Sequence, residues 1–194
     1  MRDFASHRAS TMCTDYEGPK PDQKAEIERK VRQEIFGYTP RARVRPTDPA
    51  PLIVPAEDSL ACREMRWGWT VPWDKTPLVN AKSETLTTLP TFKPHLDQRC
   101  LILARCFTEG GAQFHHPGWG VFCLAGLWRE ENGGPRFVML TTTPNESVAP
   151  FHNRMPFLLR EEQYPDWLRG DYLKVLAAPD KSALEKFQKQ PELF

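Results

Sequence analysis

No apolar run in this chain approaches the ~20 residues that a membrane-spanning helix requires. The N-terminus carries no apolar signal-peptide core either, which argues against export. Cysteine is sparse and unpaired: the five residues Cys13, Cys62, Cys100, Cys106 and Cys123 include no CxxC pair. Their odd number and wide spacing point away from a disulfide framework and from a zinc site. Free thiols fit a reducing compartment, so a cytoplasmic location is expected. Charge of one sign is also lacking, with a formal net charge of +1. Bulk charge therefore does not announce a nucleic-acid partner, although a local basic groove needs only the right placement of a few cations. Glycine is scarce, with 11 residues against 19 prolines, a balance that favours rigid loops over long helices.

What is present is enough for one domain with its own core: 194 residues, of which 40% are hydrophobic. Residues 1–11 are polar and aperiodic and read as a disordered leader, or as residues upstream of a true start at Met12; the domain then spans 12–194. Asp22 is placed to cap a helix reaching Phe36, with Ile27, Val31 and Ile35 on one stripe and Gly37 as the stop. The Pro- and Arg-rich stretch 39–51 predicts an irregular segment. Short apolar or aromatic runs follow at Leu52–Val54, Met65–Trp69, Cys100–Phe107, Gly120–Trp128 and Phe137–Thr142, each bounded by Gly, Pro or polar residues, and they predict strands. The stretch Glu131–Pro135 predicts a hairpin turn. Two late helices are expected at 161–169, with Pro165 in the first turn, and at 182–189, where Ser182 and Glu185 have capping-box spacing. One helix, many strands and late helices predict a single compact α+β domain around an antiparallel, barrel-like sheet.

Four polar residues each interrupt or end an apolar stretch: Asn80, Glu109, His152 and, near the N-terminus, Cys13. Singly, each has an ordinary structural reading, as a turn residue, a hairpin corner, a hydrogen-bonded imidazole or a simple thiol. Together they have the composition of a nucleophile with acid–base support: a thiol or amine to attack, Glu and His to move protons near neutral pH, and an amide to position. The residues alone leave open whether the four meet in space.

Longer motifs narrow the choice. Arg66-Trp67-Gly68-Trp69-Thr70-Val71-Pro72-Trp73, Asn80-Ala81-Lys82-Ser83-Glu84-Thr85, the run from Arg99-Cys100-Leu101-Ile102 to Phe107-Thr108-Glu109, Ala125-Gly126-Leu127-Trp128, and Thr141-Thr142 followed by His152-Asn153-Arg154-Met155-Pro156 occur in the order and spacing of one family. With Met12-Cys13 as the opening pair, the chain resembles the SOS-response-associated peptidase (SRAP) family of abasic-site processing proteins over roughly residues 12–170. The resemblance implies a monomeric single-stranded DNA partner protein that binds covalently to abasic sites. Cys13, as first residue after removal of what precedes it, would supply amine and thiol to the ring-opened sugar aldehyde, giving a Schiff base and then a thiazolidine. Asn80 would position the reacting centre, Glu109 would shuttle protons, and His152 would help open the sugar and assist proton transfer. Self-processing at the Met12–Cys13 bond and a lyase-like release of the crosslink belong to the same expectation. The chemistry implied by the resemblance needs no metal or organic cofactor.

Lys82 and Arg154 are candidate phosphate ligands, and Trp69, Trp73 and Phe92 candidate stacking or wedging residues, while Trp67 and Trp128 read as core. The run Arg41 to Arg45 is placed to line a groove. Asp15 stands where the family motif has Arg, Thr14 where it has Gly, and Thr108 and Gly110 stand in for two aromatic residues beside Glu109. Two other classes remain open from the residues: a non-catalytic single-stranded DNA-binding module of the same fold, and a cysteine hydrolase using Cys13 with His152.

Overall fold

The computed structural model describes residues 15–118 and 120–187; Cys13 and the leader fall outside that range. In chain order the strands are β1 (Asp15–Glu17), β2 (Pro49–Ala56), β3 (Ser59–Trp67), β4 (Trp69–Val71), β5 (Asp74–Leu78), β6 (Asn80–Lys82), β7 (Arg99–Ala104), β8 (Cys106–Glu109), β9 (Ala112–His115), β10 (Phe122–Arg129), β11 (Arg136–Thr142), β12 (Met155–Pro156), β13 (Leu158–Leu159) and β14 (Glu185–Phe187). The α-helices are α1 (Lys24–Val31), α2 (Tyr164–Leu168) and α3 (Tyr172–Leu176).

The main sheet curls into a ring: β11 pairs with β3, β3 with β2, β2 with β7, β7 with β10, and β10 returns to β11. Most of these pairings are antiparallel, as expected. The contacts of β11 with β3 and with β6 are parallel, so the sheet is mixed. Alternation sorts the ring residues into two layers. On β7, Cys100, Ile102 and Ala104 join Leu52, Phe122, Phe137 and Met139 on one side. Leu101 and Leu103 join Ile53, Val138 and Leu140 on the other, where Ile27, Trp167 and Val175 of the helices close the layer. Burial on both faces explains why β7 reads as an unbroken apolar run rather than an alternating one. A smaller sheet, in the order β1-β8-β9-β14, lies beside the ring and adds Tyr16, Phe107 and Phe114 to the first layer.

Two expected elements change. The first helix ends at Val31, short of Phe36, because Arg32 takes a left-handed conformation at φ 56° and returns its N–H to the carbonyl of Arg29. Ile35 is buried all the same, held by its N–H to Glu28 Oε1 at 2.9 Å, while Phe36 points outward. Of the helix expected at 182–189, the described residues 182–187 are instead extended and end in β14. Ser182 directs both its N–H (2.9 Å) and its hydroxyl (2.6 Å) to Asp180 Oδ1, and β14 pairs with the edge of β9. A ladder to a distant strand outweighs the local capping signal. The last helix among the described residues lies earlier, at Tyr172–Leu176, with Asp171 as its cap accepting from the Lys174 N–H at 3.1 Å.

Candidate functional site

The site is built around a tight hairpin. β8 and β9 pair Glu109 with Ala112 across Gly110 and Gly111, whose φ angles are +55° and +79°. Left-handed backbone at both central positions makes a two-residue turn whose twist matches the flanking strands. Gly110 has a second reason to be glycine: a Cβ there would lie 2.2 Å from the carbonyl oxygen of Phe151. The missing side chain admits the backbone of the 145–152 loop directly onto the hairpin tip. That loop is fixed by Asn145, which accepts from the Val148 N–H at 3.0 Å and donates through Nδ2 to Ser182 O at 2.6 Å.

The close approach sets His152 against Glu109. Glu109 is fully buried, and its Oε2 lies 3.4 Å from His152 Nδ1. The same nitrogen is 3.0 Å from the carbonyl of Arg154 and 3.2 Å from the Arg154 N–H. A protonated Nδ1 donates to the carboxylate or the carbonyl; an unprotonated one accepts from the amide. Nδ1 thus has a hydrogen-bond partner in either tautomer of the ring.

Asn80, Lys82 and Arg154 gather at the neighbouring end of β11. β6 runs beside it with Asn80 opposite Met139 and Lys82 opposite Thr141. Ala81 points into the helix-side layer, so Asn80 and Lys82 share the opposite face, Asn80 buried and Lys82 exposed. Arg154 binds the Thr141 carbonyl at 2.7 Å and holds Glu84 with two bonds of 2.8 Å, which keeps the Glu84 carboxyl below its usual range. Lys181 completes the cluster, donating to Thr143 Oγ1 at 2.9 Å. No motif marks Lys181; it stands just before the segment expected to be helical.

The two departures at Asp15 and Thr108 answer one another. β1 pairs with β8, setting Asp15 opposite Thr108. The Thr108 hydroxyl donates to Asp15 Oδ1 at 2.8 Å, and Arg43 forms an ion pair with Asp15 Oδ2. Asp15 thus engages Arg43 from the Arg-rich segment. Arg41 of the same segment pairs with Glu64 at 2.8 Å. A cleft of about 840 Å³ opens here, with Arg43, Gly110, Phe151, Lys186 and Phe187 in its walls.

The aromatic candidates are dispersed. Trp69 and Phe92 are buried, their ring centroids 5.7 Å apart, and Trp69 Nε1 donates to Arg136 O at 3.0 Å. Neither offers a face to a nucleotide; the β4–β5 hairpin folds over the 86–96 segment and both rings fill that contact. Trp73 is two-thirds exposed, at 67%, but sits at the tip of the hairpin that joins β11 near Arg136. The cluster at Thr141 lies five residues away on that strand, about 17 Å. Trp67 is buried and stacked on Phe137 with centroids 6.1 Å apart, while Trp128 is half-buried with the Arg63 guanidinium 4.8 Å over its ring.

Burial makes the described cysteines poor nucleophiles. It pushes Cys62 up to about 11 and Cys106 and Cys123 to about 12, and raises Cys100 as well. At pH 8 a thiol of that kind holds on the order of one part in a thousand or less as thiolate. Brief treatment of the folded protein with iodoacetamide at pH 8 is therefore expected to leave these four unlabelled in a peptide map; rapid labelling of any of them would contradict this assignment.

A family model, SOS response associated peptidase (SRAP), matches residues 12–191. "Abasic site processing protein YoqW" of Bacillus subtilis (strain 168) is 30% identical over 78% of this chain and 79% of its own length. "Abasic site processing protein YedK" of Escherichia coli (strain K12) is 27% identical over 68% of this chain and 65% of its own. Among solved structures, a protein from Bordetella bronchiseptica superposes with a TM-score of 0.71 at 23% identity, covering 90% of this chain and 98% of that one. A phage-related protein from the same organism superposes with a TM-score of 0.72 at 18% identity, covering 92% and 95%. Both show the same fold. Among the described residues no helix is long and apolar enough to cross a membrane.

Proposed function

The chain belongs to the SOS response associated peptidase family, and from that premise we propose that it processes abasic sites in DNA, bonding to them covalently through Cys13. Its curated relatives are named for abasic-site processing, and the reading takes that activity over to this chain. The observation that carries the finer chemistry is the buried Glu109–His152 pair at 3.4 Å, flanked by the strand that leads back to Cys13. Asp15 is paired beside Glu109, and two residues of chain span at most about 7 Å. That short chain distance from Asp15 supports Cys13 as the group served by Glu109 and His152.

In the proposed reaction the abasic sugar opens to its C1′ aldehyde, with His152 moving a proton to the ring oxygen. The α-amine of Cys13 adds to the aldehyde carbon, and the resulting hydroxyl leaves as water with a proton from Glu109, giving the Schiff base. The Cys13 thiol then adds to the imine carbon and its proton passes to the nitrogen, closing a thiazolidine; one water is lost overall. Amine and thiol stand on the same residue, so closure is intramolecular and strongly favoured. The amine is available only once the Met12–Cys13 bond is broken, and we assign that cleavage to the protein's own peptidase chemistry. Asn80, buried on the same face as Lys82, positions the reacting carbon.

The test is incubation with single-stranded DNA carrying one abasic site, followed by a denaturing gel. A heat-stable shifted band is expected from the wild type and none from Cys13→Ala. Absence of an adduct with retained binding to single strands would replace this reading by the non-catalytic binding module; an adduct that survives Cys13→Ala would remove Cys13 from the chemistry.

A further inference from the structure

The segment 180–187 wraps across the site as an extended strap. Its backbone is held at several points: Ser182 O accepts from Asn145 Nδ2 at 2.6 Å, the Leu184 N–H donates to Ser147 Oγ at 3.0 Å, Leu184 is buried in the core, and β14 pairs Lys186 with Phe114 and Phe187 with Gln113. The strap thus follows the 143–152 loop that carries His152. Its two lysines fall on the two flanks of that loop. Lys181 reaches Thr143 beside Arg154 and Lys82, and Lys186 sits 4.9 Å over the ring of Phe151 in the wall of the cleft. Phe187 beside it is 49% exposed, with the His115 ring 4.4 Å from its centroid.

Among the described residues neither Lys181 nor Lys186 has a carboxylate within salt-bridge distance, although ion pairs are plentiful elsewhere on the molecule. Glu185, the nearest acid in sequence to Lys186, is turned to His115 at 3.0 Å. Lys181 shares the end of β11 with Arg154 and Lys82, and Glu84 there is already engaged by Arg154. Among the described residues, Lys181 and Lys186 thus leave two unpaired cations beside the paired ones, Arg154 with Glu84 and Arg43 with Asp15, an arrangement suited to a polyanion, and the exposed phenyl ring of Phe187 supplies a face on which a base can stack.

We propose that the 180–187 strap is a single-stranded DNA-binding element of this protein, in which Lys181 and Lys186 contact backbone phosphates on opposite sides of the reacting nucleotide and Phe187 stacks on a neighbouring base. The assignment rests on the proposed function above and adds the binding surface to it. It also takes the stacking role away from Trp69 and Phe92, which the fold buries.

The salt dependence of binding separates phosphate contacts from general loss of affinity. Each phosphate neutralised on a single strand contributes about 0.7 to the slope of log affinity against log salt. Binding of a fluorescent, undamaged single-stranded oligonucleotide is measured by anisotropy over a salt series for the wild type, Lys181→Ala, Lys186→Ala and Phe187→Ala. Both lysine variants are expected to bind more weakly at low salt with slopes reduced by about 0.7 each, and Lys186→Arg to restore the slope. Phe187→Ala is expected to bind about tenfold more weakly at every salt concentration with the slope unchanged, and Phe187→Tyr to recover. Lys174→Ala, an equal loss of charge on α3, is the control with wild-type slope. An unchanged slope in either strap lysine variant, with wild-type binding intact, overturns the strap assignment while leaving the proposed function standing. Failure of the wild type to bind single strands at all overturns both.

Discussion

Gly110→Ala is expected to lower stability by about 3 kcal/mol and to slow crosslinking to abasic DNA. Part of the loss is backbone strain, since an L-residue held at φ +55° costs on the order of 1–2 kcal/mol. The rest comes from the new methyl group, which would meet Phe151 O at 2.2 Å and Phe151 C at 2.8 Å. Those are backbone atoms, so no rotamer change relieves the clash; the 145–152 loop must move, and overpacking of this kind costs about 1–3 kcal/mol. Movement of that loop carries His152 away from Glu109, so activity falls together with stability. Gly111→Ala is the internal comparison. It shares the left-handed backbone, at φ +79°, but a Cβ there meets nothing within 4 Å, so only the strain term is expected. Urea denaturation of the two variants measures the difference, through the transition midpoints at constant slope. Equal midpoints would mean that the contact with Phe151 does not position the loop.

Glu109→Gln is expected to leave the protein folded and to slow crosslink formation by about 10²- to 10⁴-fold, the usual range for loss of a general acid–base group. The amide keeps the shape and hydrogen-bonding capacity of the side chain but carries no transferable proton. Because Glu109 is fully buried, solvent has no ready route to replace it. The measurement is the single-turnover rate of adduct formation at saturating abasic DNA. A rate within a few-fold of wild type would assign the proton transfers elsewhere, with His152 the next group to replace.

The parts of this fold that were legible in the sequence are those governed by local chemistry. The apolar runs at Leu52–Val54 and Phe137–Thr142 each lie in one strand, while Cys100–Phe107 is split at Arg105 between β7 of the ring and β8 of the smaller sheet. The turn at Glu131–Pro135 closes the β10–β11 hairpin, with the Gly134 N–H returned to Glu131 O. Glu109 before Gly-Gly does occupy a hairpin corner, the ordinary reading for such a residue. What its neighbours in sequence do not disclose is that the 145–152 loop closes over that corner and buries it.

The misreadings have separate causes. Ser182 and Glu185 carry a genuine helix signal, but the edge of β9 lies some seventy residues back, and that ladder decides the conformation. Arg32 ends its helix early through a left-handed cap that an arginine side chain does not advertise. Trp69 and Phe92 have the chemistry of stacking residues, and equally that of core residues; tertiary packing alone assigns them to the core. Lys181 and Lys186 lie in no motif, and their place beside His152 follows from the path of the strap.

The central claim is that Cys13, with its amine freed, is the atom pair that captures the abasic aldehyde. The most direct test is to digest the purified protein–DNA adduct and locate the sugar remnant by tandem mass spectrometry. The account predicts the remnant on a peptide that begins at Cys13, with both the amine and the thiol consumed and residues 1–12 absent. A remnant on a lysine, on one of the other four cysteines, or on a Cys13 still joined to Met12 would contradict it.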